Sequence, residues 1–94
     1  MKLRICQNSI RIRLSGNDIK KLKASEEVVE SLQFAASKTY RYILKLSGSD
    51  QVVLGQDSLL IAVDRTTFLE QDHVSIKWLS ETGIEVLVES DIYG

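Results

Sequence analysis

Apolar and basic residues alternate twice at the start of the chain, in Lys2-Leu3-Arg4-Ile5-Cys6 and in Ile10-Arg11-Ile12-Arg13-Leu14. Period-2 alternation is the mark of a strand with one face buried. Gln7-Asn8 lies between the two runs, and Asn tolerates the positive φ of a tight turn. With a two-residue loop, Leu3 faces Ile12, Ile5 faces Ile10, Arg4 faces Arg11 and Lys2 faces Arg13. All apolar side chains then share one side and all basic ones the other. A one-residue slip would mix both sets, so the register is strongly specified. Leu3, Ile5, Ile10, Ile12 and Leu14 are the expected core contribution of this hairpin.

Ser15 is positioned as an N-cap, with Asp18 three residues on in a relative of the capping box. Ile19 and Leu22 share one face of the short helix that follows, and Lys20, Lys21 and Lys23 cover the rest. Ser25 to Phe34 reads both ways: as a helix with Val28, Leu32 and Ala35 on one face, or as a strand from Val29 to Phe34. Thr39 to Leu46 is strand-like, with Tyr40, Tyr42, Leu44 and Leu46 on one side. Turns at Ser47–Asp50 and Gly55–Ser58 bracket a strand over Gln51–Leu54, and Leu59–Val63 forms another. Asp64 can cap one helical turn through Arg65–Leu69. Val74–Leu79 and Ile84–Glu89 complete the pattern on either side of a turn at Ser80–Gly83. Seven or eight short strands with one or two short helices predict a single α+β domain over residues 1–94, built mainly on antiparallel sheet. Neither a linker nor a repeat is visible.

Composition adds little to this picture and excludes several alternatives. Hydrophobic residues make up 44% and charged residues 27% of 94, ordinary for a folded domain and unlike a disordered chain. The longest apolar run, Leu59–Val63, is far short of a membrane span. Met1-Lys2-Leu3-Arg4 leads into a strand rather than a signal-peptide core, so a cytoplasmic location is expected. Proline is absent, which removes one common protection of edge strands. Partnering through such an edge or a shared apolar face, in a homodimer or with another protein, is the expectation.

Candidate chemistry is sparse. P-loop, dinucleotide, zincin and serine-hydrolase motifs are missing, and one His with one Cys cannot build a His/Cys metal cluster within a chain. His73 reads as an exposed loop residue and Cys6 as a small core hydrophobe. Asp57, Asp64, Asp72 and Asp91 sit at turns and strand ends, where Asp serves local capping. Tyr40, Tyr42 and Trp78 read as core aromatics. No cofactor, metal or catalytic residue is expected. Charge is the strongest remaining signal: residues 1–23 hold seven basic side chains and one acid, whereas residues 24–94 hold five basic and twelve acidic ones. Lys2, Arg4, Arg11 and Arg13 would share one hairpin face, with like charges opposed. Glu85 and Glu89, alternating off the last strand, are the expected internal compensation. A nucleic acid or another anion is the alternative partner.

Lys2-Leu3-Arg4-Ile5, Asn8-Ser9-Ile10-Arg11-Ile12-Arg13-Leu14-Ser15 and Leu87-Val88-Glu89-Ser90-Asp91-Ile92 resemble the opening and closing segments of a family of small bacterial domains of unassigned function. The chain stops at Gly94, where that pattern continues into a polar tail. The resemblance implies a bacterial source and a mostly β fold, and it favours the strand reading of Val29–Phe34. It carries over no functional residues. The expected role is a non-enzymatic interaction or binding module.

Overall fold

The structure, a computed structural model, describes residues 1–91. Ile92, the last residue of the closing segment quoted above, lies outside them. Eight strands and two helices follow in the order β1 (Lys2–Cys6), β2 (Ser9–Leu14), α1 (Gly16–Ser25), β3 (Glu27–Ala35), β4 (Lys38–Ser47), β5 (Gln51–Leu54), β6 (Ser58–Asp64), α2 (Arg65–Leu69), β7 (Ser75–Leu79) and β8 (Glu85–Ser90). Two four-stranded sheets result. Sheet A has the order β1-β2-β8-β7, and sheet B the order β3-β4-β6-β5. The α+β class and the strand count agree with the sequence reading, and residues 25–34 resolve into the end of α1 and the strand β3. Pairing is mainly antiparallel, as expected, but the sheets are mixed: the central pair of each, β2 with β8 and β4 with β6, is parallel. Alternation fixes which face of a strand is buried but not which strand lies beside it.

The first hairpin has the expected register, Lys2 opposite Arg13 through Cys6 opposite Ser9. Its turn takes the positive φ at Gln7 (53°) rather than at Asn8. Ser15 caps α1 in a full capping box: its hydroxyl accepts from the Asp18 N–H, and the Asp18 carboxylate accepts from the Ser15 N–H. The helix ends at Glu26 in the left-handed region (φ 65°), with its N–H donating to the Leu22 carbonyl. Asp64 caps α2 through the Thr67 N–H.

The two halves of the chain repeat one arrangement that the sequence does not display. Lys2 pairs with Arg13 as Gln51 pairs with Ala62. Ser9 lies beside Glu85 in the parallel pair of sheet A as Ser58 lies beside Arg41 in sheet B. The Glu85 N–H donates to the Asn8 carbonyl as the Arg41 N–H donates to that of Asp57. Both helices follow the second strand of a hairpin behind a capping side chain, and each carries the chain from one sheet to the other. Two ββαββ units are thus interleaved, each giving one hairpin to each sheet.

The inward faces meet in one core. Sheet A contributes Ile10, Ile12, Leu14, Ile76, Val86 and Val88; sheet B contributes Val28, Leu44, Leu46, Leu59, Ile61 and Val63. Leu22 of α1 and Phe68 of α2, both at 0% exposure, close it. Tyr40, Tyr42 and Trp78 pack at its margin, as expected. Two expectations fail on β1, which is an edge strand. Ile5 is 62% exposed and Cys6 is exposed, because β1 is the outermost strand of sheet A and Ile10, opposite Ile5, takes the core position. Ile12→Ala should therefore cost about 2–4 kcal/mol in urea unfolding, the range for a buried large-to-small change. Ile5→Ala should cost below about 0.5 kcal/mol, as at an ordinary surface site. Equal losses at the two positions would contradict the placement of β1.

Candidate functional site

The basic residues singled out from the sequence come together. Lys2 and Arg4 of β1 stand opposite Arg13 and Arg11 of β2 on the outer face of sheet A, and all four are exposed around a hollow of about 300 Å³. β8 lies beside β2, so Arg11 neighbours Leu87 and Arg13 neighbours Glu89. Glu89 Oε1 lies 3.3 Å from Arg13 Nε and 3.7 Å from Arg11 Nε, one carboxylate serving two guanidinium groups. Glu85 turns away to Lys77 of β7 at 2.9 Å. The expected compensation is therefore half right: Glu89 meets the hairpin, and Glu85 meets a lysine that the sequence did not bring into account. Lys2 and Arg4 make no ion pair among the described residues. With the arginine and lysine side chains 44–63% exposed, each pair contributes only about 0.2–1 kcal/mol.

The outer face of sheet B is the opposite in character. Val29 pairs with Ile43, Ile43 with Leu60, and Leu60 with Val53, so one apolar row crosses all four strands in register. Val29 is 46% and Val53 49% exposed, with Ile43 and Leu60 half-buried between them. The equivalent row of sheet A reads Arg4, Arg11, Leu87, Lys77. This apolar row was missed because each strand was read alone. The signal lay in Leu59–Val63, which is apolar at both parities and so cannot hide all its side chains on one face.

A third cluster joins α1 to sheet B. The Met1 ammonium lies 2.8 Å from Asp18 Oδ2 and 2.6 Å from Glu30 Oε1, and the Tyr42 hydroxyl donates to Glu30 Oε2 at 3.1 Å. Burial draws the ammonium toward its neutral form, but the two carboxylates outweigh it and raise its pKa above the ordinary 8.0. Burial pushes Asp18 up, and the Met1 ammonium and Ser15 more than reverse this, leaving it below 3.8. The Tyr42 hydroxyl is raised by burial first and by Glu30 second.

The remaining candidates stay apart. His73 and Asp72 are exposed ahead of β7, Asp64 caps α2, and the Asp57 carbonyl serves the Arg41 N–H. No three of His, Cys, Asp and Glu gather among the described residues. Nor is any helix among them long and apolar enough to cross a membrane.

The Met1 cluster sets a pH window. A raised ammonium stabilises fully below pH 8.0 and ceases to as pH rises through its higher folded value. A depressed Asp18 stabilises above pH 3.8 and ceases to as pH falls through its lower folded value. Urea unfolding should show a plateau between these limits and a decline on both flanks. Asp18→Asn should cost about 1.5–3 kcal/mol at pH 7, the worth of hydrogen bonds to a charged group, and should shrink both declines. An unchanged alkaline flank in that variant would refute the assignment.

The comparisons bear on the whole chain rather than on one surface. No curated protein and no solved structure matches it significantly. A family model described as a family of unknown function, DUF7009, matches residues 1–93, and the chain belongs to that family.

Proposed function

We propose that this domain is a non-enzymatic interaction module of a bacterial cytoplasmic protein, and that it self-associates face to face through the outer surface of sheet B. The in-register row Val29–Ile43–Leu60–Val53 carries the reading. An apolar row across a whole sheet is what an interface core requires, and Glu27, Lys45 and Arg41 in the adjoining rows supply a polar rim. A second copy is the occupant because the row runs from edge to edge and can be laid antiparallel on itself about a two-fold axis. Size sets the strength. Four strands about 4.8 Å apart, each some six residues of about 3.3 Å, give roughly 300–400 Å² in plan. That is below the ~800 Å² per partner of a stable complex, so the dimer is weak, with a Kd on the order of 100 μM.

Sedimentation equilibrium from about 10 to 500 μM should show a mass rising toward the dimer, and Leu60→Lys should hold the protein monomeric over that range with unchanged circular dichroism. A wild-type monomer throughout, or association indifferent to Leu60→Lys, refutes the proposal.

A second reading, anion or nucleic-acid binding at Lys2, Arg4, Arg11 and Arg13, has one observation in its favour: Lys2 and Arg4 make no ion pair among the described residues. Against it stand Glu89 between the two arginines and Glu85 on the same face. Electrophoretic or anisotropy titration at about 150 mM salt should detect no DNA or RNA complex in the 10⁻⁴–10⁻⁶ M range of non-specific binders. A micromolar complex abolished by Arg11→Ala with Arg13→Ala would reverse the order of the two readings.

A further inference from the structure

The interleaved halves create two equivalent seams between sheet edges, and the chain fills only one. In the first, Met1 immediately precedes β1 and its ammonium reaches Glu30 on β3. In the second, Asp50 precedes β5 in the place of Met1, because Gln51 pairs with Ala62 as Lys2 pairs with Arg13. Trp78 of β7 stands in the place of Glu30, because it pairs with Val86 as Glu30 pairs with Tyr42. Nothing equivalent to the Met1 contact forms there among the described residues. Asp50 Oδ1 instead accepts the Asp64 N–H, and the Trp78 Nε1 is buried without an acceptor. A cleft of about 400 Å³ lies between β5 and β7, within the size range of ligand sites.

The walls of this cleft are two sheet edges, each with backbone N–H and C=O groups on its outer side. Val52, Val53 and Leu79 line it with apolar surface, and Leu79 is 69% exposed. Asp50 and Glu81 lie at its margin, and no cation pairs with either among the described residues. In the filled seam the same fold meets its carboxylates with an ammonium. We propose that the cleft between β5 and β7 binds an extended cationic peptide segment. The peptide adds as a strand along a free edge, its apolar residues lie on Val52, Val53 and Leu79, and a lysine or arginine takes up Asp50 and Glu81 beside the Trp78 indole. Main-chain pairing supplies the affinity and the two carboxylates select the charge. This rests on the reading of the domain as an interaction module, but not on its self-association.

Trp78 is the single tryptophan, so its emission reports on the cleft directly. The probes are a capped hexapeptide alternating valine and lysine and its glutamate counterpart, each titrated to about 1 mM. The lysine peptide should change the emission saturably, with an affinity that falls as salt rises, and the glutamate peptide should not. Glu81→Lys, at an exposed turn position, should weaken binding up to about five-fold, the upper worth of one exposed charge pair. Asp50→Asn should do the same, and its unfolding curve separates any cost of losing the Asp64 hydrogen bond. Leu60→Lys should bind as the wild type does. A wild type that binds the peptide yet stays monomeric removes only the dimer. A dimer whose Trp78 ignores the lysine peptide removes only the cleft. Equal response to both peptides, or binding untouched by Glu81→Lys, overturns the proposal.

Discussion

The parallel pairing of β2 with β8 and of β4 with β6 is the constraint on which the other features depend. Each pair joins two hairpins that would be marginal alone into a four-stranded sheet with an apolar face. Because the partners come from opposite halves of the chain, neither sheet belongs to one half, and the shared core cannot be divided between them. The helices follow from the same constraint. After β2 and after β6 the chain must leave one sheet for the other, and a capped helix with one fully buried side chain, Leu22 or Phe68, carries it across. Arg65 at the start of α2 then bonds Glu26 at the end of α1 through both carboxylate oxygens, tying one crossing to the other.

What could be read from the sequence was local, and what could not was pairing between distant residues. Alternation located β1, β2, β4, β7 and β8, flanking turns and an apolar run located β5 and β6, and Ser15 and Asp64 marked both helix starts, since each signal lies within a few residues. β3 was ambiguous for a physical reason: Glu30 points inward, where a strand pattern calls for an apolar residue, and is satisfied there by the Met1 ammonium and the Tyr42 hydroxyl. The basic row was legible, and so was Glu89 as its counter-charge, but not the destination of Glu85, which meets Lys77 only through the β7–β8 pairing. The apolar row of sheet B needed three registers at once, and two of the strands concerned were readable only as isolated runs.

The repeated architecture carries different surfaces on its two outer faces. One geometric row is cationic on sheet A and aliphatic on sheet B, and one seam is filled by a terminus while the other is open. Backbone pattern and capping are common to both halves, because core and crossings demand the same geometry twice. Side chains pointing outward face no such demand, and there the halves diverge.

The order in which the chain is made gives the two sheets different histories. β3 to β6 are contiguous, so sheet B has all its strands soon after β6 is synthesised. Sheet A holds both the first strand and the last, and β2 keeps one side bare until β8 is made. Closing a loop of nearly the whole chain is entropically costly and slow. Sheet B can therefore assemble before sheet A has its last strand, and offers a template on which the terminal hairpins meet. During that interval the proline-free edge of β2 is the most exposed part of the nascent chain to pairing with a wrong strand.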